Sequence, residues 1–285
     1  VDEPGFKLSE AKVTVIGLGL MGGSLALRLK GHCARLNALD VDAPTLELAR
    51  RMDAVDVIGS DPRAMLADAD MVILACPLPE IITWLGRLPQ YVENACVVLD
   101  LASAKRGVLA AMQALPGHFD PLGGHPICGK EKLTLLNAED TLFENAAFVL
   151  TPLERSGAAA RSAALQLIEL LGARPLWMDA AEHDAALAAV SHLPFLLSSA
   201  LSLSMPDALS PELVGPGFRS TARLAGTPSG MMGGVLAANR DRVLAEMEVF
   251  RKRLAEIEVA LQLEEYAELN TILDAARGRY LALTS

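Results

Sequence analysis

VTVIGLGLMGGSLA, residues 13–26, joins a short β-branched run to a stretch with helical spacing through a glycine-rich turn. The run from Lys12 predicts a buried strand ending at Gly17, and Met21–Lys30 predicts an amphipathic helix. Between them stands Gly17-x-Gly19-x-x-Gly22. In such a turn the first glycine permits the tight bend, the second lets the backbone approach a diphosphate, and the third lets helix and strand pack closely. The helix N-terminus, opened by Leu20 and Met21, offers N–H groups and the positive end of a dipole to phosphate oxygens. Asp40 follows Gly22 by 18 residues at the end of a second strand, Leu36–Asp40. That is close to the roughly 20 residues at which an acidic side chain meets the ribose hydroxyls of a dinucleotide. A carboxylate there repels a 2′-phosphate, so NAD is expected over NADP; the competing role for Asp40 is to cap the turn that follows. Cys76 and Pro77, just past the strand Met71–Cys76, are placed against the same ligand for packing rather than chemistry.

Strand and helix signals keep alternating outward from this turn. A helix is expected at Pro44–Met52, a strand at Ala95–Leu101, a helix from about Ala104, and strands at Ala146–Leu150 and Arg174–Met178 around a helix near Ala158–Leu171. The alternation predicts an α/β fold, a Rossmann-type doubly wound parallel sheet with ligands at the carboxyl ends of its strands. After Asp179 the pattern becomes helical throughout. Ala180–Leu203 reads as an apolar helix broken or kinked at Pro194, and residues 206–217 as a Pro/Gly-rich linker. Val243, Met247, Phe250, Leu254, Ile257 and Leu261 recur at heptad spacing. That seam fits either a helix packed inside its own domain or a dimer interface. The expected division is 1–178, a dinucleotide-binding domain, and 179–285, an all-helical second domain.

Composition narrows the function classes. Of 285 residues, 52% are hydrophobic and 21% charged, which is ample material for a core, and the net charge of -10 argues against nucleic acid or an anionic membrane as the partner. The four cysteines are scattered without metal-like spacing, so no metal is expected and a reducing, cytoplasmic setting is. No uninterrupted apolar run approaches the ~18 residues of a membrane span, and the acidic start VDEPGFKLSE does not resemble a signal peptide.

A dehydrogenase acting on an alcohol needs a base for the hydroxyl proton, and histidine suits neutral pH. His32 and His118 sit beside turns, and His183, in AAEHDAA, reads as solvated. His125 stands in GGHPICG, where glycines let a loop run close to a ligand, so it is the expected site histidine. His192, in SHLPF, reads on its own as a hydrogen-bonded core residue. Ser103, past the strand ending near Leu101, either caps the next helix or turns its hydroxyl toward substrate or His125. Arg219 and Arg223, in FRSTAR beside the linker, are either surface ion pairs or a carboxylate clamp.

Taken in order, GLGLMGGSLA, the Asp100–Lys105 segment, GGHPICGKE, SHLPF and GFRSTARLA resemble the prephenate/arogenate (cyclohexadienyl) dehydrogenases of tyrosine biosynthesis, from about Val13 to Asn239. The resemblance implies NAD-dependent oxidative decarboxylation of a small anionic cyclohexadienol and a homodimer formed through the helical domain. It gives His125 the hydroxyl proton and Ser103 the alignment of that histidine. Arg223 becomes the carboxylate clamp, His192 a residue near the substrate, and Glu131 an acidic group at the pocket mouth. Three positions depart from the family pattern: Phe195 where a second histidine is frequent, Met232 where tryptophan is frequent, and Ala102 where glycine usually precedes the serine. No regulatory domain is expected after the last helices. A β-hydroxyacid dehydrogenase shares the glycine turn but uses a lysine on a helix of its second domain, and residues 179–204 contain none. A non-catalytic NAD sensor would need neither His125 nor Ser103 and Arg223 with it.

Overall fold

The computed structural model describes residues 5–130 and 132–284. Its sheet half runs β1 (Lys12–Ile16), α1 (Leu20–Leu29), β2 (Arg35–Leu39), α2 (Ala43–Arg51), β3 (Val57–Gly59), α3 (Pro62–Leu66), β4 (Met71–Leu74), α4 (Leu78–Arg87), β5 (Cys96–Asp100), α5 (Arg106–Gln113), β6 (Phe119–Pro126), β7 (Ala147–Pro152), α6 (Ala158–Leu170) and β8 (Arg174–Trp177). Helices follow: α7 (Ala180–Leu187), α8 (Leu193–Leu203), α9 (Pro216–Thr221), α10 (Ser229–Ala238), α11 (Arg240–Gln262) and α12 (Tyr266–Thr284).

One sheet of eight strands has the order β3-β2-β1-β4-β5-β6-β7-β8. The chain starts in the middle at β1, builds outward through β2 and β3, then crosses back to β4 and continues the other way. A crevice therefore opens at the carboxyl ends of β1 and β4, where such sheets bind ligands. Val13, Val15 and Ile73 are buried among helices on one face, while Ile16, Val72 and Val98 pack into a second cluster on the other. Burial on both faces explains why these strands are near-continuous apolar runs instead of alternating ones.

Two features differ from expectation. GGHP is strand, not loop: β6 runs through Pro126, pairing parallel to β5 and antiparallel to β7, so the sheet is not wholly parallel. Its glycines answer to neighbouring backbone and side chain. A Cβ on Gly123 would lie 2.1 Å from Thr151 Oγ1, and one on Gly124 2.7 Å from the Asp100 carbonyl oxygen. The helix at Pro194 is also unbroken. A single π-helical turn, Ala188–His192, joins α7 to α8, and Pro194 falls in the first turn of α8, where its missing N–H costs little. The joined run Ala180–Leu203 is long and, on average, apolar enough to match a membrane span by length and composition, although Glu182, His183 and Asp184 interrupt it, and 28% of its most apolar window is buried. In the structure it carries His183, Asp184 and His192 against the sheet half.

α11 is joined to α12 through a short turn at Glu264, which has a positive φ of 55°. On the heptad seam only Val243 is fully buried; Leu254 and Leu261 are each 52% exposed. On α12, Leu273, Tyr280 and Leu281 are exposed as well.

Candidate active site

The glycine turn is built as its spacing requires. Gly17 has φ +95°, and a Cβ there would press on the backbone of Ala75 and Cys76 at 3.0 Å. A Cβ on Gly22 would lie 1.9 Å from the Gly17 carbonyl oxygen, so this residue sets the contact between α1 and β1. Gly17, Gly19, Leu20, Met21, Asp40, Cys76 and Pro77 line one cavity of about 650 Å³; Gly22 is buried behind it. Val41, Glu80 and Trp84 extend that wall. Asp40 anchors the turn and lines the cavity at the same time. Its carboxylate accepts from the Leu18 N–H at 2.7 Å and the Asp42 N–H at 2.9 Å, which anchors the turn, and it still faces the cavity. The Leu20 N–H donates to the Leu133 carbonyl at 2.8 Å, so a phosphate oxygen arriving at this amide must displace that carbonyl. A groove floored by glycine, with a carboxylate at its far side, fits a dinucleotide. Burial pushes the Cys76 thiol up to about 12, which keeps it an unreactive packing group.

A second cavity, of about 860 Å³, shares Leu20, Met21, Leu101, Ser103, Leu133 and Met231 with the first, so the two adjoin. Into it open His125 from the end of β6, Ser103 from the loop after β5, and Arg223 from the turn after α9. Lys130 and Lys132 add positive charge to the same wall, and Phe195, Met231 and Met232 an apolar one. Glu131 lies outside the described residues. His192 is brought close but not into the lining: it is 1% exposed, its Nδ1 is 3.3 Å from Asn239 Nδ2, and its Nε2 is buried with no partner among the described residues, while its neighbour Ser191 faces the cavity. Ser103 does not cap α5, whose N-cap residue is Lys105. The first backbone amides of that helix, which have no partner within it, are satisfied from the helical half: Asp184 accepts from the N–H groups of Lys105 at 2.7 Å and Arg106 at 3.0 Å.

His125 is held by a partner that the sequence reading set aside. His183 is not solvated but fully buried; its Nε2 lies 2.9 Å from His125 Nδ1, and its Nδ1 lies 2.9 Å from Asp184 Oδ1. Behind them the ammonium group of Lys105 donates to Asp100 and, at 2.6 Å, to the Gly124 carbonyl, the residue before His125. Burial, then the Lys105 cation and the imidazoles of His183 and His192, push His125 well below the ordinary histidine range, with Asp184 opposing. A neutral imidazole at pH 7 is a proton acceptor. Among the described residues no group of three or more His, Cys, Asp or Glu is placed to hold a metal ion.

Comparison with known proteins decides the family. The prephenate dehydrogenase nucleotide-binding domain model matches residues 24–176, and the prephenate dehydrogenase dimerization domain model matches residues 179–275. The chain belongs to the prephenate dehydrogenase family. It is 31% identical over 260 residues to the prephenate dehydrogenase of Lactococcus lactis subsp. cremoris, covering 86% of this chain and 70% of the relative. The Synechocystis arogenate dehydrogenase structure superposes with a TM-score of 0.81 at 29% identity, covering 96% of this chain and 100% of that one. The A. aeolicus prephenate dehydrogenase, solved with hydroxyphenyl propionate and NAD+, superposes with a TM-score of 0.89 at 25% identity, covering 97% and 99%. This family member is therefore an NAD-dependent oxidoreductase with a Rossmann-type nucleotide-binding half and a helical half.

Proposed function

We propose that this dehydrogenase oxidatively decarboxylates prephenate, arogenate or both, with His125 as the proton acceptor. The observation that carries the reading is that the two cavities adjoin: the histidine opens onto the space beside the glycine groove, with cationic side chains on the same wall. NAD, when bound in the groove, supplies the acceptor for the hydride on the ring carbon that bears the hydroxyl. The neutral imidazole of His125 takes the hydroxyl proton as that carbon becomes a carbonyl. The ring carboxylate then leaves as carbon dioxide, its bonding electrons complete the aromatic ring, and the proton returns from His125 to the phenol oxygen. Aromatisation supplies the driving force, so the residues mainly orient the ring and move one proton. Arg223, with its planar fork, is suited to a substrate carboxylate. Ser103, between groove and pocket, is placed to meet the hydroxyl, and Glu131 and His192 belong to the pocket's surroundings in this reading. Phe195 and Met232 give one wall an apolar character where relatives frequently carry polar or larger groups.

The test is NADH formation from prephenate and from arogenate by the purified chain, followed by absorbance, in wild type and His125→Asn. The expected loss of turnover is about 100- to 10,000-fold, the range of general acid–base catalysis, with NAD affinity unchanged. Turnover near the wild-type rate would remove His125 from the chemistry, and no NADH from either substrate would refute the reaction itself.

The division of labour that goes with this reading is 1–178 for the dinucleotide and 179–285 for substrate contacts and a homodimer. The exposed apolar residues of α11 and α12 support the dimer, because so many large side chains are left to water in a single chain. Sedimentation at twice the 30.2 kDa of one chain is expected, and a monomer at micromolar concentration would overturn it.

A further inference from the structure

Resting on that reaction, we infer that His183 is a positioning residue that fixes which nitrogen of His125 takes the substrate proton. The reasoning is a chain of donors and acceptors. Burial pushes the Asp184 carboxyl up, but the donors around it, His183, the backbone amides of Lys105 and Arg106 and the Arg106 side chain, outweigh it and hold it below its usual range, so it acts only as an acceptor. Its Oδ1 faces His183 Nδ1 at 2.9 Å, so Nδ1 carries the hydrogen. In a neutral imidazole the other nitrogen is then a bare acceptor. His183 Nε2 lies 2.9 Å from His125 Nδ1, so that contact is a hydrogen bond only if His125 Nδ1 donates. What remains on His125 is Nε2 with a free lone pair, the nitrogen available to the cavity that His125 lines.

The arrangement is costly to misplace. His183 and Asp184 are both fully buried, and their rings and carboxylate have no water to fall back on. Each backbone amide that fixes Asp184 belongs to the start of α5, and Asn239 of the loop before α11 donates to the Asp184 carbonyl at 2.6 Å. The helical half thus reaches under the sheet's edge and sets the state of a base that the sheet half presents. A doubly protonated His183 would reverse the outcome: it would donate to His125 Nδ1 and leave the hydrogen on Nε2, which then has nothing to accept with.

The test reads the tautomer directly. Nitrogen-15 NMR of the histidine-labelled chain at neutral pH is expected to show His125 protonated at Nδ1 and bare at Nε2. In His183→Phe the hydrogen should move to Nε2 in a large fraction of molecules. Turnover should then drop on the order of 100-fold, within the range of acid–base catalysis, with the Michaelis constant and NAD affinity held. His183→Gln should restore most of it, because its carbonyl can accept from His125 while its amide donates to Asp184. A wild-type His125 hydrogen on Nε2 overturns the inference, as does His183→Phe with unchanged turnover, or His183→Gln no better than His183→Phe. If His183→Phe does not fold, the wild-type tautomer and His183→Gln decide between the outcomes. The NMR signature needs no turnover, so a wild type inactive on both substrates would refute the reaction while leaving the positioning role to be read on its own.

Discussion

Lys105 and Arg106 are adjacent in the chain and anchor two different regions. The Lys105 side chain is fully buried in the sheet half, bonded to Asp100 at the end of β5 and to the Gly124 carbonyl of β6. The Arg106 side chain is 32% exposed and reaches outward, from α5 to Asp184 of α7 and to Asn239 and Asp241 at the start of α11. The inner cluster fixes strand ends to one another and so fixes the backbone that carries His125. The outer cluster fixes one half of the molecule to the other. The difference teaches how the two should fail. A charge with no water in reach has no substitute partner when its own is removed, whereas a partly solvated one is rescued by water and screened by salt.

The inner cluster should give the larger effect. Replacing Lys105 by Met keeps most of the bulk but leaves the Asp100 carboxylate fully buried with, among the described residues, only the Ala102 and Gly124 amides as donors. Breaking a buried pair in this way costs about 3–5 kcal/mol, read as a lowered denaturant midpoint. Burial pulls the Lys105 ammonium below its ordinary value despite Asp100 and Asp184, so the pair keeps its charge against a desolvation cost that nothing offsets once one partner is gone. Adding Asp100→Asn to Lys105→Met should recover part of the loss, since the amide carries no charge to leave stranded. A Lys105→Met chain as stable as wild type would mean that the pair contributes nothing, and the contrast between the regions would vanish.

The same contrast marks what was legible in the sequence. Gly17, Gly19, Gly22 and Asp40 could be read because their roles are set by local spacing around one strand–turn–helix unit. β6 could not, because FDPLGGHP carries two prolines and two glycines and has the composition of a loop. Its strand character comes from β5 and β7 on either side, and its glycines from how closely Thr151 and Asp100 approach. His183 was misjudged for the same kind of reason. Its immediate neighbours are small or acidic, and its partner His125 lies 58 residues away. Pro194 reads as a break or a kink because the π-turn that admits it has no sequence signature. Patterns within a segment were visible, while groups buried by distant segments were not. The one cue that pointed toward His183 was its direct neighbour Asp184, a carboxylate able to fix a histidine tautomer.

The outer cluster should give the smaller effect, and a pH-dependent one. Arg106 holds the Asp241 carboxyl down to about 2, against an ordinary value of 3.8, and Asp241 stands in water. A carboxyl depressed on folding contributes stability that is fully present above its unfolded value and is lost as pH falls through its folded value. Between neutral pH and about pH 4, wild type should therefore be slightly more stable than Asp241→Asn. Over the interval from about pH 4 to about pH 2 the gap should close, as wild type takes up the proton that the variant never needs. Raising salt at pH 7 should narrow the same gap, because the pair is exposed and within reach of screening. The measurement is the unfolding midpoint of both chains across that range. A gap that stays constant down to pH 2 and is indifferent to salt would assign the Asp241 contribution to packing or helix capping, and Arg106 would then tie the halves together through Asp184 and Asn239.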